Sequence, residues 1–215
     1  MNHILKPIDI GFIHIPKTAG TSIKQWIKLI VKQKKLEYNK TRLDQHRQLN
    51  EPGYLESIGI TDSFAVVRNP WDRVVSIYTH LMTYRQDPTE GNYLYNSLKD
   101  LPVDCTFDYF VNNFQKISIP YTTSGITWAT PQVQWLVGGI HRILRFENIN
   151  EDIKFLQEKL NTDIPLLHRN RIEQSTERID FHSYYTPQTQ QRVAELFAND
   201  ISRFGYKFTD LDPYR

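Results

Sequence analysis

One cysteine in 215 residues is the first constraint. Cys105 by itself closes no intramolecular disulfide, which removes the secreted, disulfide-stapled class, and one thiolate builds no metal cluster. Nothing basic flanks it in Asp104-Cys105-Thr106-Phe107, so an activated thiol is disfavoured as well. Long apolar runs are also missing. No stretch approaches the ~20 residues of a membrane span. The N-terminal Met1-Asn2-His3-Ile4-Leu5-Lys6-Pro7 lacks the ~7–15-residue apolar core of a signal peptide. Nor is there an excess of one charge. With 26 Lys+Arg against 24 Asp+Glu, the net +2 argues against nucleic acid or an anionic membrane as the main partner. No H-x-x-x-H or Cys/His spacing marks a metal site. A soluble, cytoplasmic protein without a metal is expected.

A composition 40% hydrophobic and 23% charged is that of a globular chain, and the length suits one domain over residues 1–215. Ile8-Asp9-Ile10-Gly11-Phe12-Ile13-His14-Ile15 reads as a strand that Pro16 ends. Beyond it, Ile23, Trp26, Ile27, Ile30 and Val31 fall at offsets 0, 3, 4, 7 and 8, one face of a helix whose end carries Lys32, Lys34 and Lys35. The grammar repeats. Ser63–Val67 reads as a buried strand with Arg68 at its carboxyl end, Asn69 as cap and Pro70 at the first helical position. Val74, Tyr78, Leu81 and Met82 then share a helical face. A third unit places Ile143–Phe146 in a strand and Asn150 as cap of a helix with Ile153, Phe155, Leu156 and Leu160. Thr186-Pro187 opens a last helix with Val193, Leu196, Phe197, Ile201 and Phe204 inward. Strands alternating with helices predict an α/β three-layer sandwich around a mainly parallel sheet, with ligands beyond the strands' carboxyl ends. Residues 36–61, 84–103 and 116–140 carry weak periodicity and are expected as loops or short helices that could form a lid over such a ligand.

The sharpest signal is the first strand–helix turn, Pro16-Lys17-Thr18-Ala19-Gly20-Thr21-Ser22. Its small residues let the backbone approach a ligand, and a helix start aims N–H groups at it. Lys17 adds a cation; Thr21 and Ser22 add hydroxyls. This P-loop-like strand–turn–helix is a cradle for phosphate or sulfate. A nucleotide loop of the G-x-x-x-x-G-K-[ST] type places Lys directly after the second Gly, whereas Lys17 precedes Gly20 by three positions.

These residues resemble the sulfotransferase superfamily, which uses 3′-phosphoadenosine 5′-phosphosulfate (PAPS) and releases 3′-phosphoadenosine 5′-phosphate (PAP). Residues 16–22 are similar to its 5′-phosphosulfate loop, and Val67-Arg68-Asn69-Pro70-Trp71-Asp72-Arg73-Val74-Val75-Ser76-Ile77-Tyr78 to its 3′-phosphate motif. Leu144–Ile149 and Asp200-Ile201-Ser202-Arg203-Phe204-Gly205-Tyr206 resemble the branch that sulfates carbohydrates, with its heparan 2-O- and chondroitin-type enzymes and short bacterial homologues. The likeness runs from residue 8 to 206. It implies that Lys17 contacts the 5′-phosphosulfate and steadies the leaving oxygen. It further implies that Thr18, Ala19, Gly20, Thr21 and Ser22 line the phosphate, and that Arg68 and Ser76 clamp the 3′-phosphate. The Arg68 guanidinium is chemically suited to that task.

Sulfuryl transfer also needs a base for the acceptor hydroxyl, and His has a suitable pKa. The resemblance favours His46, in Leu43-Asp44-Gln45-His46-Arg47, as that base; a surface His is the alternative. His80 is next in line, His14 reads as a packed core residue, and His168 as cofactor-side or structural. Tyr121, Trp128 and Trp135 either stack on a sugar or belong to the core, the core being the plainer assignment. Arg85, Lys99 and Arg142 are candidates to meet an acidic acceptor. A PAPS-dependent sulfotransferase acting on a hydroxyl of a glycan or glycolipid is thus the leading expectation. Two others stay open: a nucleotide-dependent kinase, with Glu147 as its one tempting magnesium carboxylate, and a non-catalytic PAPS/PAP-binding protein.

Overall fold

The structure is a computed structural model of the chain, and it describes residues 10–35, 60, 62–85, 98, 101–116, 127–166 and 180–210. Two compact units emerge: Met1–Val67 with Trp135–Glu177, and Arg68–Gln134 with Arg178–Pro213.

The first unit holds a parallel sheet in the order β1 (Ile10–Ile13), β2 (Asp62–Val67), β3 (Arg142–Arg145). Ile13 pairs with Ala65 and Val67 with Arg145, so the carboxyl ends of all three strands lie along one edge. β1 is shorter than its apolar run suggests: His14 and Ile15 are buried but have left the ladder. Helix α1 (Gly20–Lys34) buries the face made by Ile23, Trp26, Ile27, Ile30 and Val31, as the periodicity predicts. Burying each is worth about 1.5–3 kcal/mol, which outweighs the few tenths of a kcal/mol that a β-branched residue costs in a helix. This face packs on Ile10, Phe12, Phe64, Val66 and Leu144 of the sheet. Trp26 fixes the helix further by donating from Nε1 to the Ile164 carbonyl at 2.8 Å.

Past β3, Phe146–Asn148 form a short 3₁₀ turn, followed by α4 (Ile149–Asp152) and α5 (Lys154–Lys159). The expected cap Asn150 lies inside α4, and Asn148 holds the cap position. The reason is Asp152, which accepts from the Arg145 N–H and the Asn148 side chain, both at 2.7 Å, and so turns the chain two residues earlier. Ile149, Ile153 and Leu156 join the same core.

The second unit is helical. In α2 (Pro70–Arg85) Pro70 takes the first position, and the Asn69 side chain accepts from the Trp71 N–H at 3.1 Å. Helix α3 (Phe107–Asn113), which the sequence reading did not anticipate, is capped by Thr106 and buries Phe107, Phe110 and Val111. Thr186 and Thr189 form a capping box for α6 (Pro187–Leu196), and α7 (Ala198–Phe204) follows after a break at Phe197. Tyr78 of α2 sits 5.3 Å from both the Phe107 and Phe110 rings, and its hydroxyl donates to the Cys105 carbonyl. No helix among the described residues is long and apolar enough to cross a membrane.

Candidate functional site

The turn from β1 into α1 is held in an uncommon backbone. Lys17 has φ 67° and Ala19 φ 68°, both left-handed, although neither is glycine. Each such residue costs about 1–2 kcal/mol, and conformations of this kind persist where the surroundings enforce them. Here Thr18 does so: fully buried, it donates from Oγ1 to the Ile15 carbonyl at 2.9 Å. Its hydroxyl therefore serves the turn itself. Gly20 is fixed by contact rather than by φ. A β-carbon there would lie 1.8 Å from Nε2 of His14, whose ring stacks on Phe12 at 5.7 Å between centroids.

Helix α1 thus starts at a glycine packed against an imidazole, with Ala19 at the cap position and no side-chain cap bond. The N–H groups of its first turn have no acceptor within the helix, and no acidic residue stands in that turn. Such a terminus behaves as roughly half a positive charge. With Lys17 in the turn and the Ser22 and Thr21 hydroxyls on the first turn, the arrangement suits a tetrahedral oxyanion. Lys17, Thr18, Ala19, Gly20, Thr21 and Ser22 are all brought into this one turn.

Arg68 directly follows β2 and is only 7% exposed. Its Nε and Nη2 donate to Oδ2 and Oδ1 of Asp72, each at 2.7 Å, a bidentate pair one helical turn apart. Asp72 thereby sets the plane of the guanidinium. Ser76 stands four residues beyond Asp72 on α2, on the same helix face. Nearby, the buried Arg73 donates to the carbonyls of Thr130 and Trp128 and lies over the Phe197 ring. Burial brings its guanidinium down to about 10, with the Asp200 charge opposing and the Arg68 charge adding to that shift. Arg73 remains cationic at neutral pH. The Asp200 carboxyl is raised by burial, against the N–H bonds it accepts and the charge of Arg73.

His46, Lys99, Tyr121 and His168 lie outside the described residues. Trp128 and Trp135 are 4% and 0% exposed and belong to the core; Trp128 also stacks on His80 at 5.5 Å. Arg142 is committed to Asp62 and to the face of Phe155, at 4.7 Å from the ring centroid. The sequence reading gave no role to Asp72, Arg73, Gln132 or Asp200. The four-residue spacing of Arg68 and Asp72 was the signal available for the first; the others meet only in three dimensions.

A model of the sulfotransferase family matches residues 6–207 of this chain. Among solved structures, the fold is similar to that of mouse sulfotransferase SULT7A1 complexed with PAP, with a TM-score of 0.50 and 15% identity. That match covers 92% of this chain and 86% of the mouse chain. No curated protein sequence matches.

Proposed function

The chain belongs to the sulfotransferase family, and from this we propose that it transfers the sulfuryl group of PAPS to a hydroxyl of a carbohydrate or glycolipid within one catalytic domain. In this proposal the turn 16–22 receives the 5′-phosphosulfate, with Lys17 balancing the charge that grows on the leaving phosphate oxygen. Arg68 and Ser76 take the 3′-phosphate. His46 accepts the acceptor proton as that oxygen attacks sulfur and the sulfur–oxygen bond to phosphate breaks, giving a sulfate ester and PAP. No metal takes part. With no disulfide to protect, a cytoplasmic site of action belongs to the same proposal.

The observation that carries the donor assignment is the turn itself: two non-glycine residues in the left-handed region beside a helix start that has neither a side-chain cap nor an acid. Strain of this kind, at a cationic terminus, is suited to an anionic ligand. The test is a calorimetric titration in EDTA with PAP, 5′-AMP and ATP. Metal-free binding of PAP, tighter than 5′-AMP, is expected; a preference for ATP that requires magnesium would replace this function by a kinase. The acceptor is tested by transfer of ³⁵S from labelled PAPS to desulfated glycans and to simple phenols. Labelling of phenols alone would remove the carbohydrate part and leave the donor assignment standing.

A further inference from the structure

We propose that Gln132 and Asp200 are positioning residues for the 3′-phosphate contact: Asp200 fixes the backbone at 132–133, and the Gln132 carboxamide fixes the peptide groups of Arg68. This rests on Arg68 as the 3′-phosphate ligand and extends that assignment to two residues that do not touch the donor.

The β2 ladder ends at Val67, paired with Arg145, so the peptide groups of Arg68 need other partners. Gln132 supplies both. Its Oε1 accepts from the Arg68 N–H at 2.9 Å, and its Nε2 donates to the Arg68 carbonyl at 2.8 Å. A side-chain amide here takes the place of a neighbouring strand's peptide group and extends the β-type bonding by one residue. Gln132 is fully buried and is itself held from its backbone. The fully buried Asp200 accepts from the Gln132 N–H at 2.8 Å through Oδ2 and from the Val133 N–H at 2.9 Å through Oδ1. Arg73 stands by as the counter-charge and binds the carbonyls at 128 and 130.

Arg68 is therefore constrained from both ends. Gln132 places its backbone, and Asp72 sets its guanidinium plane through two 2.7 Å bonds. A long side chain held in this way gives up little freedom when an oxyanion arrives, which is the physical source of its affinity.

The experiment measures Kd for PAP and for 5′-AMP, ligands that differ only in the 3′-phosphate, by calorimetry on the full chain. The readout is the preference for PAP, the ratio of Kd for 5′-AMP to Kd for PAP. Gln132→Met removes the carboxamide at similar volume, and Asp200→Asn sets an amide NH₂ against a peptide N–H. Each is expected to lower the ratio by about tenfold, the scale of a charged hydrogen bond. Arg68→Ala should lower the ratio further than either, leaving only what Ser76 contributes, and adding Gln132→Met to it should change the ratio no further. Damage that is only structural would weaken both ligands in parallel and preserve the ratio, which would overturn the inference. If Gln132→Met does not fold, Gln132→Asn keeps the amide but is one methylene too short to reach both peptide groups. An unchanged ratio there overturns the inference equally. A wild-type ratio near one is a different failure: it removes the 3′-phosphate site, and this inference with it.

Discussion

A β-carbon on Gly20 would lie 1.8 Å from the His14 imidazole, inside the ring's own volume. Gly20→Ala is expected to cost about 1–3 kcal/mol, the range for overpacking a filled site. Urea denaturation measures it, and His14→Ala in the same chain should return most of the loss; full stability of the single variant would contradict the contact. The small residue at 20 was visible in the sequence as a turn signal. The reason for it was not, because His14 meets Gly20 only after the chain has turned at 16–19. Lys17→Ala is expected to weaken PAP binding by about 1.5–3 kcal/mol, as for loss of a charged hydrogen bond. Calorimetry decides this, and an unaltered Kd would remove Lys17 from the donor site. His46→Ala should instead spare PAP binding while cutting turnover by roughly 10²–10⁴. Full turnover in that variant would pass the role of base to another histidine, with His80 first to be tried.

At the scale of elements, Asp62 ties the start of β2 to α5. Lys159 Nζ donates to its Oδ2 at 2.7 Å, and Arg142 Nε lies 3.9 Å from Oδ1. Burial alone would raise the Asp62 carboxyl, but the Lys159 hydrogen bond and the charges of Lys159 and Arg142 outweigh it and leave it below the usual value of 3.8. A carboxyl lowered on folding stabilises the protein above its unfolded pKa, and that contribution is lost as pH falls through the folded one. Asp62→Asn should therefore cost roughly 0.5–1 kcal/mol near pH 7, since the cations are half exposed, and progressively less below pH 4. Chemical denaturation of both proteins across pH 3–7 measures the gap, and a gap constant with pH would rule out the charge pair as its origin. The same scale separates what local pattern reveals from what it leaves faint. The α1 face from Ile23 to Val31 spans more than two turns, and the pattern is unmistakable. Helix α3 offers Phe107, Phe110, Val111 and Phe114 at helical spacing, yet over so few residues that spacing is a weak signal. The cap is Asn148 and not Asn150 because Asp152 accepts from the Arg145 N–H seven residues back, a contact that a capping preference read one residue at a time does not contain.

For the whole molecule, a ligand that binds only the folded state stabilises it by mass action. At about 100 times its Kd the gain is about 2.7 kcal/mol. For a chain of this length that gain corresponds to a rise in Tm of about 5–10 °C. Saturating PAP should produce such a rise in EDTA, and 5′-AMP at equal concentration a smaller one; scanning calorimetry that finds no rise with PAP would oppose the donor assignment. The sequence by itself determined the strand–turn–helix units, the anion-seeking turn at 16–22 and the placement of Arg68 after a strand. Those features rest on periodicity, turn chemistry and capping, all of which act within a few residues. Only the tertiary structure decided what holds the backbone of Arg68. Gln132 reaches it from 64 residues away and is itself anchored by Asp200 a further 68 along the chain. Hydrogen bonds of that span leave no periodic trace, because the partners meet only once the chain has folded, while periodicity and capping act within a few residues.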